Sequence, residues 1–195
     1  MQKFIFSILC LVSLNMYSID KLEDKYCVRL GKPQAKLEII EYMSFSCYSC
    51  IKLYREDFAK IQEKFVDNGL ISWTFHPVPM DLVTVQAMIC LEKLSEKQKL
   101  VFLEAILSEI DLDNSELSPQ LMMQALEFFK VKMGNLTSPD FVKSSPAFRD
   151  AFAFVNQKEK ITEVPTIEIN GKIYHEIPDF EFISKIVLNS EVLSE

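Results

Sequence analysis

Glycine is nearly missing from this chain, with four residues in 195. That scarcity excludes long flexible linkers and the glycine-rich loops that cradle phosphates. Basic residues are also short, 21 against 28 acidic ones, for a formal net charge of −7, and no basic cluster offsets it. Such a surface repels phosphate backbones, so nucleic acid is not the partner. Histidine occurs only as His76 and His175, neither of them spaced as a metal partner. Without a second C-x-x-C there are too few ligands for a four-coordinate zinc site. No metal and no cofactor are expected.

What is present is ordinary for a globular protein: 49% hydrophobic and 25% charged residues. The first residues are the exception. Lys3 is followed by an apolar run from Phe4 to Leu14, the layout of a secretory signal. The run is too short for a comfortable membrane span, which needs roughly 20 apolar residues. Residues 1–18 read as a signal peptide cleaved near Ser18, with an uncleaved anchor as the alternative. Cys10 invites a lipoprotein reading, but Leu9 stands where that signal needs a small residue. After cleavage Cys27, Cys47, Cys50 and Cys90 remain, in a compartment where disulfides persist.

The segment 36–43, Lys-Leu-Glu-Ile-Ile-Glu-Tyr-Met, is rich in β-branched and aromatic residues and predicts a buried strand. A short turn, 44–46, leads into a helix that starts at Cys47. Its apolar positions Ile51, Tyr54, Phe58, Ile61 and Phe65 share one face, and Asn68-Gly69 ends it. A second strand follows over 70–75. From Pro79 to about Lys160 the pattern is helical only, four or five helices. Ser95 has capping-box spacing to Gln98, and Ser118, Ser138 and Ser145 each precede a proline. Strand chemistry returns at 164–174, with Asn170-Gly171 as a hairpin turn, and a last helix runs from Asp179 to about Leu193. The expected class is α/β, a sheet domain split by a helical insertion.

The chemistry sits in Cys47-Tyr48-Ser49-Cys50. A C-x-x-C closes almost no loop, so it is a poor structural staple. It suits electron exchange, which needs one thiol reactive as a thiolate and a second within reach of the mixed disulfide. Cys47 at a helix N-terminus meets free N–H groups and the favourable end of the macrodipole, which can lower a thiol pKa to roughly 3.5–7.5. Cys50, one turn later, can attack and release the substrate.

The segment 41–50, Glu-Tyr-Met-Ser-Phe-Ser-Cys-Tyr-Ser-Cys, resembles the active-site segment of the DsbA-like thiol–disulfide oxidoreductases of the thioredoxin superfamily. Val164-Pro165, followed by Thr-Ile-Glu-Ile-Asn-Gly-Lys, resembles that family's cis-proline loop and following strand. The stretch 73–78 occupies its second strand. The resemblance implies a thioredoxin fold over 19–78 and 161–195, with residues 79–160 as the inserted helical domain. It implies that Cys47 is the attacking thiol and Cys50 the resolving one. It further implies that Pro165 is cis and faces the pair, with Val164 offering its backbone to an extended substrate.

Glu41 matches the family's buried acid, which relays a proton to the second thiol; a solvated Glu at the sheet edge is the bland alternative. The lysine that the family's best-known member pairs with this acid is replaced here by Thr74 or Trp73. Tyr48 and Ser49 stand where the oxidases carry Pro-His, which implies a less oxidising pair, with the Ser49 hydroxyl able to offer one hydrogen bond.

The expected activity is oxidation of reduced cysteines in exported, periplasmic proteins by a monomer that a DsbB-like membrane oxidase re-oxidises. An isomerase or reductase of the same fold is the alternative, as is a binding module with structural cysteines. Thr is common before the cis-proline of the isomerases, where this chain has Val164. Cys27 and Cys90 could pair in a second disulfide or stay as buried thiols. Met122-Met123 and Phe128-Phe129 read as core or as the wall of a peptide groove.

Overall fold

The computed structural model describes residues 24–110, 118–157, 161–175 and 178–192. The expected signal over 1–18 lies outside them. A five-stranded sheet organises the molecule, in the order β1-β3-β2-β4-β5. β2 (Leu37–Met43) and β3 (Ile71–Pro77) run parallel, joined by the helical segment that starts at the C-x-x-C. β1 (Val28–Leu30), β4 (Thr166–Ile169) and β5 (Lys172–Tyr174) pair antiparallel. β2 is central because it is apolar enough to be covered on both faces: Leu37 and every residue from Ile39 to Met43 are buried. Three-residue β1 is the one strand without a sequence signal; Arg29 breaks its apolar pair.

Helix α1 (Tyr48–Leu53) continues through a π-helical turn (Tyr54–Phe58), α2 (Ala59–Ile61) and a second π turn (Gln62–Val66). Ile51, Phe58, Ile61 and Phe65 are buried as their spacing requires. Phe58 sets its ring edge-on to both Trp73 and Phe75 of β3. Gly69, at φ +74°, stops the run. Its N–H reaches the Val66 carbonyl and the Leu70 N–H reaches that of Phe65, the pair of bonds that closes a helix on a left-handed residue.

Among the described residues five helices lie between β3 and β4: α3 (Leu82–Leu91), α4 (Glu96–Glu109), α5 (Pro119–Phe128), α6 (Pro139–Ser144) and α7 (Pro146–Gln157). α3 is buried on every side from Thr84 to Leu91 and packs against α5, α6 and α7. The caps fall where expected. The Ser118, Ser138 and Ser145 hydroxyls accept from the N–H groups of Gln120, Phe141 and Phe148, and Gln98 reaches back to the Ser95 N–H. Arg55, from the first π turn, donates to the carbonyls of Leu107 and Ser108 at the end of α4, at 2.7 and 2.8 Å. The paired residues of α5 divide: Met122 is core, whereas Met123 and Phe128 are exposed. Asn170 and Gly171 both take positive φ in the β4–β5 hairpin, and α8 (Phe180–Val192) buries Ile183 and Val187 and packs against α2.

Candidate active site

At the C-terminal end of β2 the chain turns through Ser44, Phe45 and Ser46, and the Cys47 N–H closes that turn on the Ser44 carbonyl at 3.2 Å. Cys47 is the N-cap of α1, in an extended conformation, and it is bonded to Cys50 in a disulfide. The Cys50 N–H donates to Cys47 Sγ at 3.2 Å. That donor is one of the four a helix start leaves unsatisfied, and it is aimed at the sulfur that is a thiolate once the pair has been reduced. The two sulfurs differ in access. Cys47 is partly exposed, while Cys50 is 1% exposed. A partner molecule can therefore reach Cys47 only.

Between them Tyr48 is 52% exposed and Ser49 half-buried. In the disulfide, Cys47 Sγ accepts from the backbone N–H of Cys50.

Across from the disulfide stands the loop ahead of β4. The Val164–Pro165 peptide is cis, and the Val164 carbonyl oxygen lies 3.5 Å from Cys47 Sγ. Thr166, buried at the start of β4, ties the loop down by donating to the Glu163 carbonyl at 2.8 Å. Pairing of β4 with β2, from Tyr42 opposite Thr166 to Ile39 opposite Ile169, fixes where this loop ends up.

Glu41 is 1% exposed, in the middle of the central strand, so the solvated-edge alternative fails. Of the two residues that could take the place of the lysine, Trp73 is the partner: its Nε1–H donates to Glu41 Oε2 at 3.3 Å. Thr74 points to the opposite face, as adjacent strand residues do. Burial pushes the Glu41 carboxyl up to about 8, against the opposing pull of the indole N–H. Near neutrality Glu41 is mostly protonated.

Sequence reasoning missed one group. Asp81, the N-cap of α3, accepts from the Thr84 N–H at 2.7 Å and from the Ser44 hydroxyl at 2.6 Å. Thr84 in turn accepts from the Phe45 N–H at 3.0 Å. Asp81 and Thr84 have the three-residue spacing of an N-cap and the backbone it caps, which was the signal available. Cys27 and Cys90 are both buried and no disulfide joins them. Among the described residues no cluster of His, Cys, Asp and Glu is arranged to hold a metal ion.

A family model described as Thioredoxin matches residues 23–189. Disulfide bond formation protein D of Bacillus subtilis is 25% identical over 179 residues, a match that covers 81% of this chain and 74% of that protein. Oxidised BdbD from Bacillus subtilis shares the fold with a TM-score of 0.69 and 22% identity, over 87% of this chain and 95% of that one. Alpha-DsbA1 of Wolbachia pipientis does so with a TM-score of 0.65 and 20% identity, over 87% and 94%.

Proposed function

The chain belongs to the thioredoxin family and carries the C-x-x-C disulfide of a thiol–disulfide oxidoreductase, and from that premise we propose that it is an exported oxidase that introduces disulfides into other exported proteins. One observation carries the reading. The exposed sulfur of the pair, Cys47 Sγ, rests on the Cys50 N–H at a helix start and faces the Val164 carbonyl beside a cis proline.

A substrate thiolate attacks Cys47 Sγ, the Cys47–Cys50 bond breaks, and Cys50 leaves with the electron pair. Cys50 is buried, so its thiolate needs a proton, and Glu41, neutral near pH 7, is the buried acid suited to supply it. A second substrate thiolate then attacks the substrate sulfur of the mixed disulfide. Cys47 departs as a thiolate held by the Cys50 N–H and the helix N-terminus. Two substrate thiols have become a disulfide, and the enzyme has gained two electrons. A DsbB-like membrane oxidase takes them and restores the pair.

Val164 and Pro165 present backbone to the extended substrate, while Tyr48 and Ser49 tune the pair. The helices between β3 and β4, residues 79–160, act as one inserted domain, and the protein works as a periplasmic monomer after losing residues 1–18. Bacillus subtilis disulfide bond formation protein D, at 25% identity, supports the oxidising direction by its name.

Equilibration with glutathione tests the direction. An oxidase gives a potential well above about −270 mV, the thioredoxin value. A value at or below it marks a reductase. Intact mass of the exported protein tests the export: Met1 retained would reject cleavage near Ser18.

A further inference from the structure

The turn ahead of Cys47 is held by side chains from a distant part of the chain. Asp81 opens α3, extended at φ −147° and ψ 164°, and its Oδ1 caps the helix by accepting from the Thr84 N–H. Its Oδ2 faces the other way. It accepts from the Ser44 hydroxyl at 2.6 Å and lies 3.0 Å from Thr84 Oγ1. Ser44 Oγ accepts from the Ser46 N–H at 3.1 Å, and Thr84 Oγ1, 3.0 Å from Ser44 Oγ, accepts from the Phe45 N–H at 3.0 Å. The backbone N–H groups of Phe45 and Ser46 thus each end on a hydroxyl of this network, and the next one, of Cys47, ends on the Ser44 carbonyl. Ser44 and Thr84 are buried, which shields their hydroxyls from water, while Asp81 is half-buried.

We propose that Asp81 is a positioning residue for Cys47: through Ser44 and Thr84 its carboxylate locks the 44–46 turn so that Cys47 Sγ sits on the Cys50 N–H. The inference rests on the redox reading of Cys47. It adds that the reactivity of the pair is set in part from the first helix after β3. A carboxylate acting by charge alone has the opposite effect, because a nearby negative charge disfavours a thiolate. Removing mere charge lowers the Cys47 pKa. Removing a positioning contact raises it, since the sulfur drifts off its donor.

Asp81→Asn separates the two parts of the residue. Asparagine is as good an N-cap as aspartate, so its Oδ1 keeps the Thr84 N–H. Its amide nitrogen cannot accept from the Ser44 hydroxyl. The measurement is the rate of alkylation of Cys47 against pH in the reduced full-length protein. Asp81→Asn is expected to move the midpoint upward and to slow alkylation at pH 7 about fivefold, as the loss of one hydrogen bond allows. Thr84→Val moves the profile the same way, and Thr84→Ser restores it. These two decide the matter should Asp81→Asn fail to fold. A natively folded Asp81→Asn whose midpoint is unchanged or lower overturns the proposal. A wild type that exchanges no electrons with glutathione overturns the oxidoreductase reading and this one with it. A redox-active wild type with an unmoved variant overturns the positioning role alone.

Discussion

The described residues hold four cysteines in two settings. Cys47 and Cys50 lie at a helix start, one of them reachable from outside, with a backbone N–H on the reachable sulfur. Cys27 and Cys90 lie in the core, at 1% and 0% exposure, and no disulfide joins them. Cys90 sits inside α3 among Met88, Ile89 and Leu91, where burial pushes its thiol pKa up. The element, the oxidation chemistry and the compartment are the same for all four. What differs is whether the local structure stabilises a sulfur that carries charge. At Cys47 it does; at Cys90 it penalises it.

The sharpest test of that contrast is removal. Cys47→Ala abolishes dithiol exchange with insulin or glutathione altogether, while Cys50→Ala accumulates mixed disulfides through Cys47 because no thiol remains to resolve them. Mass spectrometry of the trapped species checks both, and alkylation favouring Cys50 at neutral pH would reverse the assignment.

The next effect concerns the acid between the two settings. Folded Glu41 keeps its proton up to about pH 8, whereas the unfolded chain releases it near the ordinary value of 4.5. Between those limits folding takes up a proton. The stabilisation is complete below the lower limit and is lost as pH rises through the upper one, on the order of 5 kcal/mol in all. Urea unfolding at pH 5 and pH 8 measures it. Glu41→Gln should flatten the dependence and make the protein more stable than wild type at pH 8. If Glu41 also relays the proton, the same variant slows the departure of Cys50 when a substrate thiolate attacks Cys47.

Smaller still is the effect of the buried pair. Cys90→Ala should cost about 1–2 kcal/mol through lost packing and leave the exchange rate unchanged. Any loss of activity in a folded Cys90→Ala protein would erase the distinction between the two settings. The finest change is Ser49→His, which supplies an imidazole donor near Cys47. It should raise the potential by tens of millivolts, since about 30 mV corresponds to 1.4 kcal/mol for this couple.

The central strands, the C-x-x-C helix, the hairpin and the helical run after Pro79 were all legible in the sequence, because each rests on local periodicity or on a turn residue. β1 was not. Three residues are too few to show a period, and they pair only because Trp73, Thr74 and Phe75 offer a free edge. Glu41 was legible as an acid on a buried strand, but its partner was not. Which of Trp73 and Thr74 faces it depends on strand register, which no local pattern encodes. The Asp81–Ser44 bond joins positions 37 residues apart and was invisible for the same reason. Sequence showed what chemistry the site has; only the fold showed what holds it in place.

The carbonyl that faces Cys47 belongs to a residue 117 positions further along the chain. Synthesis runs in one direction, so an emerging chain displays its cysteine pair long before Val164 exists. During that interval the pair has a helix to start but no opposing wall. Its sulfurs are open to any thiol, without the loop beside which an extended substrate would lie. β4 closes the site by pairing with β2, one of the last additions to the sheet. In a chain that folds as it is made, the wall facing Cys47 is therefore added late, when β4 pairs with β2 rather than when α1 forms.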